Sequence, residues 1–496
     1  MEFIKGEDRE QIILLPQTIN EYVTENSPVR VIDAYINSVD PGTIGLIRKE
    51  PKRTGRPPYD PKDLLKLYIY GYMNRIRSSR RLEIESHRNL EVLWLIRNLR
   101  PDHKTISNFR KDNAKVLKNV FIRFVNLCDN AGLYGKELAS IDGSKFKAVN
   151  SKDRNFTKKK LQNRLKQIED KIEKYLSDLD ETDGEEEEAE RGKSTSEIKE
   201  IIEGLKSRKE KYQAYEEELQ ENGETQKSLT DTESRLMLSN GKMDVCYNVQ
   251  AAVDSKNKLI IDYEVTNHVN DMNLLTPMAQ RVKAILGTEK MVITADTGYA
   301  SASDIAACVQ IGVEPHVSGI DSHICIPATE GEQEEIKSHI NGRSVYLKDR
   351  NIVICPMGKP LYPAHYKKTQ GEAVFQNSKA CKTCDCRCTK EKGVFRYQFV
   401  MKKSDFKKDY NDEGLIVKQV HIKPQKEIYK QRKLLSEHPF GTIKRSMDGG
   451  YCLTKGIMKT TGEFALLFLA YNLKRVINIL GTRKLISIMA DTACTA

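Results

Sequence analysis

Apolar residues recur in steps of four and three at Leu161, Leu165, Ile168, Ile172, Tyr175 and Leu179, and the pattern resumes at Ile198, Ile202, Leu205, Tyr212, Tyr215 and Leu219. A seam of that period belongs to helices that wrap around each other. The acids Glu185 to Glu188, with Gly184 and Gly192 around them, separate the two runs and read as a solvated turn. The simplest outcome is an antiparallel helical hairpin over 158–225. What flanks it constrains the fold further. Ala139–Lys147 reads as a strand, and Tyr247–Asp254 and Lys258–Val265 read as two more, joined by a Ser-Lys-Asn turn. The hairpin is therefore expected to interrupt a sheet.

Downstream, a helix from about Asn273 to Leu286, a buried strand Met291–Asp296, a helix near Ser303–Ile311 and a strand Val313–Val317 continue an α/β passage. The segment 319–425 changes character, with many Cys, Lys and turn residues and short strands such as Tyr346-Leu347 and Arg396–Val400. It reads as a second insertion. Helical segments close the chain, from about Ile428 to Arg445 and from Glu463 to Leu480.

Upstream, Asp60 stands where it would cap a helix that begins at Pro61 and carries Leu64, Leu65, Leu67, Tyr68, Ile69 and Tyr72. A second helix is expected from Arg81 to Ile96. A short one, Ile106–Lys111, follows with Thr105 as its cap. Helix, turn and short basic helix is the layout of a helix-turn-helix module, although any small helical domain shares it.

The 496 residues carry 81 Lys and Arg against 70 Asp and Glu, a formal charge of +11. That excess suits a polyanionic partner without identifying one. No run reaches the roughly 18–20 apolar residues of a membrane span. The opening MEFIKGEDREQ lacks the basic-then-apolar order of an export signal, so a cytoplasmic protein is expected. Eleven cysteines in a long chain favour reduced thiols or a metal over disulfides.

Three acids do not fit a purely structural reading. Asp142 sits in the middle of a strand, where an unpaired charge costs several kcal/mol, and a divalent cation is a natural partner. Asp296 closes an apolar strand, where α/β sheets place ligand groups and also ordinary turn formers. Glu437 is the only carboxylate between Ile428 and Met447, in a segment rich in Lys and Arg. It would also serve as an ion-pair partner for Lys444, but Pro439 favours a kink or a new helix start between them. Two strand aspartates and a later helical glutamate are the hard oxygen ligands that hold a pair of Mg²⁺ ions about 3.5–4 Å apart for in-line phosphoryl displacement.

The ordered set GRPPYDPKDLLKLYIYGYMNRIRSSRRLE, Asp142-Gly143-Ser144-Lys145-Phe146, TDTESRLM, YNVQAAVD, Asp296-Thr297-Gly298-Tyr299, EHPFGTIKR and LAYNLKR resembles bacterial insertion-sequence transposases of the DDE class, eleven-eighty-two group. The resemblance runs from about Gly55 to Leu480. It implies an RNase H-like catalytic domain with a mixed sheet, preceded by an all-helical N-terminal domain and interrupted by the hairpin and a Cys-rich insertion. Asp142, Asp296 and Glu437 match its catalytic triad and would hold two Mg²⁺ or Mn²⁺ ions; Glu427 and Glu463 are the runners-up for the third acid. The family's chemistry is cleavage at transposon ends by a metal-activated water, followed by attack of the freed 3′-OH on target DNA. Relatives carry Tyr, Arg, Glu and Lys spaced by two, three and six residues. Here Tyr429, Arg432, Glu437 and Lys444 are spaced by two, four and six.

The expected division is a helix-turn-helix-like DNA-binding domain over 1–130, a catalytic domain over 131–157, 226–318 and 426–496, the hairpin over 158–225, and a Cys-rich insertion over 319–425. Cys355, Cys381, Cys384 and Cys388 have the spacing of a structural zinc site, with Cys386 a substitute; reduced thiols in a loop are the alternative. Arg56, Arg77, Arg80, Arg81, Lys104 and Arg110 are the expected DNA contacts of the N-terminal domain, and Tyr429, Arg432 and Lys444 those near the third acid. Partners would be transposon terminal inverted repeats, target DNA and further copies of the chain in a synaptic complex near the nucleoid. The competing reading is a DNA-binding protein that kept the fold and lost catalysis.

Overall fold

The structure is a computed structural model that describes residues 18–46, 57–182, 195–239, 241–319, 322–327, 345–347, 352–355, 360–367, 371–382, 398–402 and 417–494. Six α-helices come first: α1 (Pro28–Ser38), α2 (Pro61–Met73), α3 (Ser79–Arg88), α4 (Leu90–Leu95), α5 (His103–Asp112) and α6 (Ala114–Asn130). Asp60 caps α2 as its position indicated, accepting the Lys62 amide at 2.8 Å. Two details differ from expectation. The helix expected from Arg81 to Ile96 breaks at Asn89, whose side chain accepts the Glu91 and Val92 amides and starts α4. The cap of α5 is Asp102, which accepts the amides of Lys104 and Thr105 at 2.9 Å each. A carboxylate is the better acceptor there, because its charge also complements the helix dipole.

Next come β1 (Leu138–Lys147), β2 (Asn155–Thr157), α7 (Lys158–Thr182), α8 (Thr195–Glu221) and β3 (Gln226–Ser228). The seam residues Leu161, Ile168, Ile202 and Leu219 are buried. Gln162 bonds Glu216 at 3.5 Å and Glu169 pairs with Lys209 at 2.9 Å, so α7 and α8 run antiparallel. The acidic turn lies outside the described residues. At the base, β2 and β3 pair antiparallel.

The main sheet adds β4 (Arg235–Ser239), β5 (Lys242–Asp254), β6 (Ile260–Thr266), β7 (Met291–Ala295) and β8 (Val313–Val317). Its order is β4-β5-β1-β7-β8, with β6 also on β5. The first half of β5 pairs with β4 and the second half with β6. β1 is antiparallel to β5 and parallel to β7, and β7 is parallel to β8. Helices α9 (Leu275–Leu286) and α10 (Ala302–Gln310) make the crossovers. Thus β1 and β5 pair directly although the hairpin lies between them in sequence.

Seven further strands follow: β9 (Ser322–Pro327), β10 (Val345–Leu347), β11 (Ile352–Ile354), β12 (Pro360–Lys367), β13 (Glu372–Gln376), β14 (Gln398–Lys402) and β15 (Val417–Ile422). β10 to β14 form an antiparallel sheet, while β9 and β15 zip together the entry and exit of this segment. A helix then runs from Lys426 through Pro439 to Gly441 and widens into a π turn over Thr442–Ser446. The break expected at Pro439 is absent. Proline lacks the amide that would bond the Leu435 carbonyl, and the backbone changes pitch just beyond it rather than stopping.

The Ile457–Leu480 helix, buried continuously from Gly462 to Leu473, joins these parts. Phe464 packs on Phe146 of β1 at 4.7 Å, Phe468 on Tyr263 of β6 at 4.8 Å, and Tyr263 on Phe121 of α6 at 5.2 Å. One continuous core therefore spans the N-terminal helices, the sheet and the C-terminal helices. Among the described residues no single helix is long and apolar enough to cross a membrane.

Candidate active site

Side chains alternate along a strand, so Asp142, Ser144 and Phe146 of β1 share one face while Gly143 and Lys145 share the other. The parallel register pairs Ser140 with Thr294. Continued two residues, it sets Asp142 level with Asp296, just past the end of β7. Asp296 caps the turn Thr297–Tyr299 by accepting the Gly298 amide at 2.8 Å. Burial and then the nearby Asp296 carboxylate push Asp142 up to about 6; hydrogen bonds from Ser436 and the Gly143 amide, and the Arg432 charge, oppose this. Arg432 Nη1 lies 3.7 Å from Asp142 Oδ2. A hard carboxylate whose ionisation is opposed by burial and by a second carboxylate nearby fits a divalent cation, which would relieve that cost.

The third expected ligand stands apart from the pair. On the Lys426–Gly441 helix the buried face carries Leu435, Ser436, Pro439 and Phe440, and Glu437 is exposed. Ser436, one residue earlier, is the side chain that reaches Asp142. Among the described residues no group of three or more His, Cys, Asp or Glu is arranged to hold a metal. The acids present supply two ligands of a set, not three. Neither runner-up fills the gap: Glu427 is exposed, and Glu463 is consumed by Arg77, the Leu453 and Thr454 amides and the Thr454 hydroxyl.

The opposite face of β1 holds a group that sequence reasoning missed. Asp271, in the loop between β6 and α9, accepts at Oδ1 from Lys145 Nζ (3.0 Å), Asn248 Nδ2 (2.6 Å) and Gln250 Nε2 (2.8 Å). The buried Tyr299 hydroxyl donates to Gln250 Oε1. A Cβ on Gly143 would meet Gln250 Nε2 at 2.4 Å and Asp271 Oδ1 at 2.5 Å, so the residue after Asp142 has no room for a side chain. The Asp-Gly pair was the available signal.

The expected DNA contacts divide sharply. Arg80, Arg81 and Lys104 are exposed. Arg77 and Arg110 are not, and their assignment to DNA is corrected. Arg77 pairs with Glu463 at 2.5 Å with 2% and 0% of the two side chains accessible, and also donates to the Asp448 and Tyr451 carbonyls. Arg110 donates to the Tyr72 hydroxyl and the Arg77 carbonyl, beneath the Tyr68 ring. Lys444 is held by Ser144 Oγ at 2.6 Å and the Lys145 carbonyl at 3.0 Å, over the Phe146 ring. Arg432 lies 5.6 Å from the centre of the Tyr429 ring. Arg56 lies outside the described residues.

Of the cysteine cluster, Cys384, Cys386 and Cys388 also lie outside the described residues. Cys355 is buried directly after β11, and Cys381 is half-buried in the short Ser378–Lys382 helix. Ile354 pairs with Pro360, and the Pro360 carbonyl accepts from Asn377, the residue before that helix, at 2.7 Å. The two cysteines thus stand at one end of the small sheet.

Two family models match the chain: "Transposase domain (DUF772)" over residues 17–112 and "Transposase DDE domain" over residues 354–477. The second includes Glu437 and leaves Asp142 and Asp296 outside. No curated protein matches. Among solved structures, a piggyBac transposase synaptic complex with hairpin DNA aligns over 95% of this chain and 80% of its own, at 11% identity and a TM-score of 0.30, too distant to carry an argument. Transposase models thus match both the N-terminal helices and the C-terminal part of this chain, the latter as a DDE domain, and the chain is similar to DDE-type transposases in both regions.

Proposed function

We propose that the chain is an insertion-sequence transposase of the eleven-eighty-two group that cuts transposon ends and joins them to target DNA. The observation that carries this reading is the register of β1 on β7, which levels Asp142, in the middle of β1, with Asp296, just past the carboxyl end of β7. The order β6-β5-β1-β7-β8, with β5 alone reversed, supports an RNase H-like catalytic unit. In this reading Asp142 and Asp296 hold Mg²⁺ or Mn²⁺, and Glu437 joins them as the third acid. Two such ions, when bound, would stabilise the attacking and leaving oxygens of a phosphoryl displacement.

The chain's own groups would orient the DNA. The Arg432 guanidinium, partly accessible beside Asp142, would meet a phosphate oxygen through its terminal nitrogens. Tyr429 lies under the same guanidinium. Lys444 holds the strand that carries Asp142 rather than reaching outward. Arg80, Arg81 and Lys104 would contact terminal repeats, Cys355, Cys381, Cys384 and Cys388 would hold a structural zinc, and copies of the chain would pair DNA ends near the nucleoid.

The test is cleavage of DNA carrying the element's terminal repeats. Asp142→Asn should lose Mg²⁺-dependent cutting and keep binding. Equal loss of both would sink the assigned role. A wild-type protein that binds the repeats and never cuts them under Mg²⁺ or Mn²⁺ would favour the DNA-binding protein without catalysis.

A further inference from the structure

We infer that Asp271 is a positioning residue that fixes the spacing of the Asp142–Asp296 pair. The inference rests on the proposed metal-holding role of that pair. Asp271 gathers three donors from two strands at one oxygen, Lys145 of β1 and Asn248 and Gln250 of β5, and Gln250 passes the connection to Tyr299. Tyr299 ends the turn that Asp296 caps. Lys145 and Gly143 lie within three residues of Asp142 on the same strand. The chain of bonds therefore runs from the strand of one acid to the turn of the other.

Two close approaches show how tightly the group is set. Asp271 Oδ1 occupies the space over Gly143, 2.5 Å from where a Cβ would be. A Cβ on Gly298 would meet Asp296 Oδ1 at 2.9 Å and Asp271 Oδ2 at 3.4 Å. Asp271 thus fills the space where a side chain beside either acid would stand. Oδ1 serves all three donors, and Oδ2, which also accepts from Lys145 Nζ at 3.3 Å, lies toward Gly298. Carboxylates in this outer position orient metal ligands, and their loss typically weakens metal affinity by about 10–100-fold. Asparagine at 271 keeps the shape but loses the charge that holds Lys145, so the two acids lose their common anchor.

The experiment uses the full chain and Mn²⁺ alone, followed by water-proton relaxation, together with cleavage rates across a Mn²⁺ series. Asp271→Asn should weaken Mn²⁺ binding by about 10–100-fold and raise the half-saturating Mn²⁺ for cutting in step. The rate at saturating Mn²⁺ should largely recover. Tyr299→Phe, which removes one hydroxyl from the same chain of bonds, should shift binding in the same direction by several-fold and serves if Asp271→Asn does not fold. Unchanged Mn²⁺ affinity, or a change confined to melting temperature, would overturn the inference. Asp142→Asn separates the two levels. If it binds Mn²⁺ as wild type does, the metal-holding reading and this inference both fall; if it loses binding while Asp271→Asn keeps it, only this inference falls.

Discussion

Replacing Asp142 by asparagine should make the metal-free protein more stable at neutral pH, although it removes the group proposed to be essential for cutting. Burial and the Asp296 carboxylate hold Asp142 at about 6 in the folded state, against 3.8 as its ordinary value. The folded protein therefore binds that proton more tightly than the unfolded chain does. By linkage, stability falls as pH rises from about 4 to about 6, and the loss persists at higher pH. At 1.36 kcal/mol per unit the cost is about 2–3 kcal/mol, with the 17% accessibility of the side chain pulling toward the lower figure. Asparagine keeps an acceptor for Ser436 and the Gly143 amide without a charge to desolvate. Urea unfolding in EDTA should show the two proteins level near pH 4 and the variant ahead by about 2 kcal/mol at pH 7.5. Mn²⁺ at a hundred times its Kd should add about 2.7 kcal/mol to wild type and far less to the variant. A variant less stable than wild type at pH 7.5 without metal, or a gap that ignores pH, would refute the reasoning.

Arg77→Met should destabilise by about 3–5 kcal/mol, because it strands a buried Glu463. Arg77→Met with Glu463→Leu should recover only part of this, since the Leu453 and Thr454 amides lose their acceptor; unchanged urea midpoints with lost DNA binding would restore Arg77 as a contact. Neutralising Arg81 and Lys104 together should leave stability unchanged and lower the slope of log K against log salt by about 2 if each meets one phosphate; an unchanged slope in DNA titrations would remove them from the interface. Gly143→Ala should cut Mn²⁺ affinity as Asp271→Asn does, because the methyl displaces Gln250 and Asp271; normal affinity by proton relaxation would show that the cluster gives way freely. Cys381→Ser with Cys384→Ser should abolish bound zinc in elemental analysis, and unchanged stoichiometry would remove these ligands.

What could be read in the sequence was what a local pattern determines. The seam from Leu161 to Leu219 foretold two packed helices because a heptad period admits little else. Asp296 stood out because an apolar strand ends on it, and Asp142 because a charge interrupts a strand. Arg77 and Arg110 were misassigned for the complementary reason. A basic residue near a short basic helix suggests DNA, whereas the partner of Arg77 lies 386 residues away and no local pattern announces it. Asp271 was hidden in the same way, since its donor Lys145 is 126 residues distant and its own surroundings, His268-Val269-Asn270-Asp271, look like a turn.

Glu437 shows a third kind of limit, between motif and phase. The segment was legible as a helix, and the acid was legible as the one carboxylate among cations. Which side of the helix faces the sheet is decided instead by Leu435, Ser436, Pro439 and Phe440, the residues that fill the core. One residue along an α-helix is a rotation of roughly 100°. Ser436 therefore reaches Asp142 while Glu437 turns toward solvent. Bringing Glu437 to the aspartates requires this helix to rotate about its axis, which would withdraw Ser436 and swing Arg432 away from Asp142. The π turn at Thr442–Ser446 is where such a change of phase would be taken up, because a turn already wound to a wider pitch can exchange its hydrogen bonds without unpacking the buried Ile457–Leu480 helix beyond it. Completion of the acid triad in the proposed function thus becomes a question of helix phase, to be read from the solvent accessibility of a cysteine at 437 with and without DNA and Mn²⁺.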